Sequence, residues 1–159
     1  RELKEQTGLL YLHLNPTQEF NTLLTLHDGC GIAHQIDLNT TKFVIQKCAT
    51  PLIPHFEALL SEGLHAEAIC SIDSLIELLL TRCQKGIADR DIVSRNFGYI
   101  GNRAIEIDTG SFSSMANMKQ QWLYKQELLY ATLELKSWLE KQAPDLADYL
   151  QAQVNKTIS

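Results

Sequence analysis

The sequence predicts an α+β fold, in which a small antiparallel sheet is followed by a mostly helical part that contains one β-hairpin. Three observations support this prediction. Residues 1–50 contain short runs of alternating or β-branched residues, whereas residues 51–85 and 111–159 show apolar side chains at helical spacing. The chain has 159 residues, of which 45% are hydrophobic, a composition typical of one packed core. We therefore expect a sheet over residues 1–50 and a helical part over residues 51–159, packed as one domain.

Four short strands are predicted in the first part. Residues 8–14 carry apolar side chains on both faces of an extended segment, and Pro16 follows them. Residues 22–27 and 32–38 are joined by Asp-Gly-Cys-Gly, a loop that can supply the positive φ angles of a hairpin. Residues 42–47 have a β-branched and aromatic centre, which is typical of a strand.

Two helices are predicted next, over residues 51–62 and 65–85. The apolar stripe of the second helix recurs every three or four positions and comprises Ile69, Ile72, Ile76, Leu79 and Cys83. Gly86 follows this helix as a C-cap. Arg82 and Lys85 stand in the last turn, where cations interact favourably with the helix dipole.

A β-hairpin and further helices complete the predicted elements. Residues 97–100 and 104–108 flank a Gly-Asn turn, so we expect them to pair. Residues 115–141 are predicted to be helical, and a short helix follows Pro144. The broad apolar face of the longer helix comprises Met118, Trp122, Leu128, Ala131, Leu135 and Trp138. We expect any exposed part of this C-terminal helical face to bind a protein partner.

Charge and composition exclude several functional classes. The formal net charge is −5, so the chain lacks the basic surface that nucleic acid requires. Its apolar runs are interrupted by charge well short of a membrane span. Four cysteines without a Cys-x-x-Cys pair are typical of reduced thiols in a cytoplasmic protein. The chain begins at Arg1 rather than at a methionine, which is consistent with a fragment whose missing part lies upstream.

The densest group of polar residues lies at residues 86–110. Asp91 is followed by four residues and then Asn96, and Asp108 ends the second strand of the predicted hairpin. A hairpin can place these three side chains around one point. Mg²⁺ binds through one or two carboxylates together with waters and phosphate oxygens. A further carboxylate can accept the proton of a hydroxyl group, so the segment is a candidate site for metal-assisted chemistry.

This segment resembles the protein-kinase-like superfamily. The tripeptide at residues 89–91 (Asp-Arg-Asp), then Asn96, and the tripeptide at residues 108–110 (Asp-Thr-Gly) are similar to the family's His-Arg-Asp, Asn and Asp-Phe-Gly. The order of the elements over residues 9–110 is also similar. The resemblance implies a partial N-lobe-like sheet that ends in a hinge, followed by a kinase-like C-lobe in which the helix over residues 65–85 leads into the catalytic loop.

The resemblance implies an atypical phosphotransferase that uses ATP and Mg²⁺, or the C-terminal part of one. Asp91 would be the catalytic base, and Arg90 would brace the catalytic loop. Asn96 and Asp108 would bind the metal. The adenine would meet the backbone of four residues at the hinge, namely Gln46, Lys47, Cys48 and Ala49.

Lipid kinases offer a second alignment of the same loop. Their Gly-x-x-Asp-Arg-His motif is similar to residues 86–90 and would make Asp89 the base. The interval from Asp89 to Asn96 is then two residues too long, so we prefer Asp91.

Several family features are absent. No glycine-rich loop precedes the first strand, and no strand lysine with a partner glutamate is found. No Ala-Pro-Glu sequence follows Gly110, so a peptide substrate is not expected and the phosphoryl acceptor is unknown. The alternative function is therefore a catalytically inactive, pseudokinase-like interaction module.

Two other parts of the sequence offer alternative sites. Residues 105–111 also resemble the aspartic-protease signature, in which an apolar strand ends in Asp-Thr-Gly-Ser, and a dimer of such chains would pair two aspartates. The helical pattern over residues 115–141 argues against that fold. His13, His27 and His34 lie on predicted strands and could converge on a metal, but a packing role is expected because no pair has the i, i+4 spacing of a helical metal site.

Overall fold

The computed structural model describes residues 3–115 and 120–157, and its helices and small antiparallel sheets confirm the α+β class. The chain forms two compact units. The small unit comprises Leu9–Lys47, and the large unit comprises the residues before Leu9 together with those from Cys48 onward. The small unit ends at Lys47, and the first residues of the chain belong to the large unit.

The small unit contains four strands at the predicted positions, namely β1 Leu9–His13, β2 Leu23–His27, β3 Ala33–Asp37 and β4 Phe43–Gln46. Strand β1 pairs with β4, and β2 pairs with β3, both antiparallel. The single sheet expected from the sequence is instead a set of two separate two-stranded ladders.

Asn39 bonds the segment between β1 and β2 to the loop after β3. Its side-chain amide accepts the backbone N–H of Phe20 at 3.0 Å and donates to the Phe20 carbonyl at 2.6 Å. Its own carbonyl accepts the N–H of Thr17 at 3.0 Å. The segment between β1 and β2 is therefore held to that loop at both Thr17 and Phe20.

The described residues of the large unit form four α-helices, α1 Leu52–Ser61, α2 His65–Gln84, α3 Gln121–Gln142 and α4 Pro144–Thr157. The first two helices end where predicted, because Gly63 and Gly86 adopt positive φ angles of 71° and 72°. Residue 115 is not helical, and the described part of α3 begins at Gln121. Among the helices described here, none is long and apolar enough to cross a membrane.

Where the large unit is described, it also contains five short strands, β5 Thr50–Pro51, β6 Ile87–Asp89, β7 Phe97–Ile100, β8 Arg103–Glu106 and β9 Phe112–Ser114. The predicted β7–β8 hairpin is confirmed, although β8 ends two residues before Asp108. Strand β5 adds to β7, and β6 pairs with β9. The strand after Gly110 replaces the helix expected there. Strands β5, β6 and β9 have only two or three residues, which is too short to show a periodic pattern, so the sequence does not predict them.

The core lies where the helices pack on the hairpin. Its fully buried apolar side chains include Phe56, Ile72, Leu75, Leu79, Phe97, Leu128, Leu135 and Leu139. Burial of each contributes roughly 1.5–3 kcal/mol to folding. The predicted apolar face of α3 is wrong at Trp122, which is 58% exposed because the helix turns its Leu128 side to the core. Met118, predicted for the same face, lies outside the described residues.

Candidate functional site

The open end of the β7–β8 hairpin brings Asn96 and Asp108 together along the backbone. The carbonyl of Asn96 accepts the N–H of Ile107 at 2.6 Å, directly beyond the last pair of the ladder, Phe97 and Glu106. Asp108 follows Ile107, so the two predicted metal ligands lie on the two strands at the same end of the hairpin.

Asp91 is brought to the same place by the Asn96 side chain. The Nδ2 of Asn96 donates to the carbonyl of Asp91 at 2.7 Å, and the Asn96 side chain is buried. A short 3-10 turn at Ser94–Asn96 carries the chain from Asp91 into β7. The three predicted residues are therefore gathered in one loop cluster.

The three side chains differ in their exposure. Asp108 and Asp91 are exposed, and the Oδ1 of Asp108 accepts the N–H of Gly110 at 2.9 Å. The Asp91 carboxylate lies 3.9 Å from the Arg95 guanidinium. Arg90, predicted to brace the loop, is exposed to solvent.

A different arginine lies behind the loop. Arg82 at the end of α2 is completely buried, and its Nη1 donates to Glu106 while its Nη2 donates to Glu127 at 2.8 Å. The Asp89 Oδ2 lies 3.7 Å from the same Nη1. One cation therefore faces three buried carboxyl groups, and we call Arg82, Asp89, Glu106 and Glu127 the Arg82 cluster.

Burial sets the electrostatics of this cluster. Loss of water around Glu106 raises its pKa to about 8, and the neighbouring Arg82 charge only partly opposes that change. Burial likewise raises the pKa of Glu127. The single guanidinium of Arg82 only partly offsets the cost of burying these carboxyl groups away from water.

Asp89 links the Arg82 cluster to the loop. Its Oδ1 accepts the N–H of Asp91 at 3.0 Å and the hydroxyl of Ser111. The Asp89 side chain is 0% exposed, whereas the Asp91 side chain is 50% exposed. Of the two predicted bases, Asp91 is therefore the one whose side chain faces solvent.

One feature of the sequence indicates that Arg82 is buried. Arg82 follows Leu78 by four residues and Leu79 by three, so it continues the apolar stripe of α2. A charged residue at a core position requires buried partners of opposite charge. Its position in the last helical turn suggested a dipole interaction instead, and no local pattern indicates Glu106 or Glu127.

The predicted adenine contacts are placed as follows. Gln46 is the last residue of β4, and Lys47 is the last residue of the small unit. Cys48 and Ala49 open the large unit, and Cys48 is exposed. This segment crosses the boundary between the units, and its contact with adenine stays a prediction.

The structure also places the predicted histidine site and the Asp-Thr-Gly-Ser motif. His13 is buried and stacks on Phe43 with ring centroids 4.9 Å apart, and His34 lies 2.9 Å from Asp28. Within residues 3–115 and 120–157, no three His, Cys, Asp or Glu side chains are grouped as a metal site. The Asp-Thr-Gly-Ser residues form the turn between β8 and β9.

No protein-family model, curated protein or solved structure matches this chain.

Proposed function

We propose that the large unit carries a kinase-like site that transfers a phosphoryl group from ATP with the help of Mg²⁺. One observation carries the proposal. The two hydrogen bonds made by Asn96, through its carbonyl and through its Nδ2, gather Asp91, Asn96 and Asp108 at the open end of the hairpin. Two exposed carboxylates beside the buried Asn96 amide suit phosphoryl transfer, in which positioning and charge neutralisation supply most of the catalysis.

Asn96 and Asp108 fit the proposed role of metal ligands. The amide nitrogen of Asn96 is committed to the loop, so its Oδ1 is the end of the group that can bind a cation. Asp108 is exposed and offers a hard carboxylate oxygen. One carboxylate and one amide suit Mg²⁺ that arrives with the nucleotide phosphates. The ion would neutralise charge on the phosphate oxygens.

Asp91 is the proposed base. Its carboxylate would accept the proton of an acceptor hydroxyl while that oxygen forms a bond to the γ-phosphorus. The bond to the leaving oxygen of ADP breaks in the same step. We propose a hydroxyl-bearing acceptor other than a peptide.

Calorimetric titration of ATP, with and without Mg²⁺, tests the site. The unchanged chain is expected to bind ATP in a Mg²⁺-dependent manner. Asp108→Ala should weaken this binding about tenfold or more, because it removes the charged metal ligand. Asp148→Ala, which removes an exposed carboxylate of α4, is the matched control and should bind as the unchanged chain does.

An assay of ATP turnover tests the proposed base. Asp91→Asn should bind ATP and Mg²⁺ normally but lose roughly 10²–10⁴-fold in the rate of ATP turnover. Equal turnover by Asp91→Asn and the unchanged chain would remove Asp91 from the proposed mechanism.

The second candidate function is a pseudokinase-like interaction module, and one observation favours it. Helix α3 carries large apolar side chains that face solvent, namely Trp122, Leu129, Tyr130 and Leu133. Exposed apolar groups at neighbouring positions are typical of a surface that binds a protein. For such a module, the titration should show no Mg²⁺-dependent binding of ATP in either the unchanged chain or Asp108→Ala.

A further inference from the structure

One carboxylate oxygen joins the two halves of the proposed site. The Oδ1 of Asp89 accepts the backbone N–H of Asp91 at 3.0 Å and also the side-chain hydroxyl of Ser111. Asp91 is the proposed base, and Ser111 stands three residues after Asp108 in the turn that follows it. If the segment of Asp91 or the turn of Ser111 is displaced, the hydrogen bond of the other to the shared oxygen therefore changes too.

Asp89 itself is held from several sides. Its backbone pairs with Phe112 in the β6–β9 ladder, and its N–H donates to Glu127 of α3 at 3.3 Å. Its Oδ2 faces the Arg82 guanidinium at 3.7 Å, and its carboxyl group also interacts with the side chain of Glu106. The attraction to Arg82 leaves Oδ1 directed at the loop, where its two donors lie.

We propose that Asp89 is a positioning residue that couples the segment of Asp91 to the turn of Asp108, with its carboxylate held in place by Arg82. The identity of the groups it positions rests on the proposed function, whereas the coupling is a property of the chain alone. Because the carboxyl group is buried, Asp89 acts through the loop and does not touch the substrate.

Amide hydrogen exchange tests the coupling without any ligand. Asp89→Ala removes the acceptor, so the N–H of Asp91 should exchange about tenfold faster or more. Asp89→Asn retains an acceptor oxygen and should restore slow exchange. The Ala variant is expected to fold, because Arg82 keeps Glu106 and Glu127 as partners. Asp148→Ala on α4 controls for the loss of a carboxylate.

The Ser111→Ala variant distinguishes coupling from a role of Asp89 that is confined to its own strand. It removes one of the two donors to the shared oxygen, so the Asp91 amide resonance should shift although Asp91 lies twenty residues away in the sequence. An unchanged Asp91 resonance in Ser111→Ala, or unchanged Asp91 exchange in Asp89→Ala, would overturn the coupling.

Calorimetry with ATP and Mg²⁺ then separates the coupling from the proposed function. Asp89→Ala should bind about tenfold more weakly than the unchanged chain, and Asp89→Asn should bind within about threefold of it. If the unchanged chain binds no ATP while the exchange results are as expected, the proposed function fails and the coupling stands. If Asp89→Ala binds ATP as tightly as the unchanged chain does, Asp89 does not position the site, and the proposed function stands.

Discussion

The Nη2 of Arg82 lies 2.8 Å from the Glu127 carboxylate, at a point where the arginine is completely buried and the glutamate is 5% exposed. This contact ties the end of α2 to α3, while the second guanidinium nitrogen of Arg82 ties the same point to Glu106 on β8. The loop of the candidate site therefore rests on a buried ion cluster rather than on apolar packing alone. Removing its single cation leaves three carboxyl groups without compensation.

Arg82→Met should be among the most destabilising single substitutions in the chain. It is expected to lower the free energy of unfolding by roughly 3–5 kcal/mol at pH 7, because buried carboxylates lose their only positive partner. Urea denaturation followed by circular dichroism measures the change. Arg103→Met is the control, because Arg103 forms an exposed ion pair with Glu5 at 3.1 Å and should cost less than about 1 kcal/mol. Equal costs for the two variants would contradict the account of the cluster.

Glu106→Gln should change how stability depends on pH. Burial raises the pKa of Glu106 to about 8 from an ordinary value of 4.5, so the folded state binds its proton more tightly than the unfolded state does. The contribution of Glu106 to stability is therefore complete below pH 4.5 and is lost as the pH rises through about 8.

The measurement is the free energy of unfolding between pH 5.5 and 9 for the unchanged chain and the variant. Below pH 8, the difference in free energy of unfolding between the two proteins should change by up to roughly 1 kcal/mol per pH unit. The variant should become relatively more stable as the pH rises. Glu134→Gln, at an exposed position of α3, is the control and should show no such trend. A pH-independent difference for Glu106→Gln would show that Glu106 does not hold the proton.

Leu135 and Leu133 provide a matched pair on α3. Leu135 is fully buried, and Leu133 is 58% exposed. Leu135→Ala should cost about 2–5 kcal/mol, because it removes buried methyl groups and leaves a cavity. Leu133→Ala should change the free energy of unfolding by about 0.5 kcal/mol or less. The opposite order in urea denaturation would mean that α3 buries its other face.

Gly98 is predicted to tolerate no side chain. A Cβ at this position in β7 would lie 2.7 Å from the Ile107 side chain and 2.9 Å from the Thr50 carbonyl. Gly98→Ala should therefore cost about 1–3 kcal/mol through displacement of β5. Thermal unfolding measures this change in stability. Gly29→Ala, where a Cβ meets nothing within 4 Å, is the control and should be nearly neutral in that experiment. A neutral Gly98→Ala would contradict the close approach of β5 and β7.

The sequence predicts the elements whose signals are local. The β7–β8 hairpin follows from its Gly-Asn turn, and α2 follows from its apolar stripe and from Gly86. The gathering of Asp91, Asn96 and Asp108 could also be expected, because all three flank that one hairpin.

The Arg82 cluster could not be predicted in the same way. Its carboxyl groups come from β6, β8 and α3, and Glu127 lies 45 residues from Arg82. Nothing local distinguishes Glu127 from the exposed Glu134 of the same helix, because only the packing of α3 on α2 decides which one is buried. The pairing of β6 with β9 is likewise non-local and involves strands too short to show a pattern.

The most direct test of the proposed metal site is paramagnetic broadening by Mn²⁺, which accepts the same oxygen ligands as Mg²⁺. With ATP present, Mn²⁺ should broaden the side-chain amide signals of Asn96 and the backbone amide signal of Gly110, which is bonded to Asp108. Asp108→Ala should abolish that broadening, and signals from α4 should stay sharp in both proteins. Sharp Asn96 and Gly110 signals in the unchanged chain, at Mn²⁺ and ATP concentrations that broaden other residues, would contradict the proposed site.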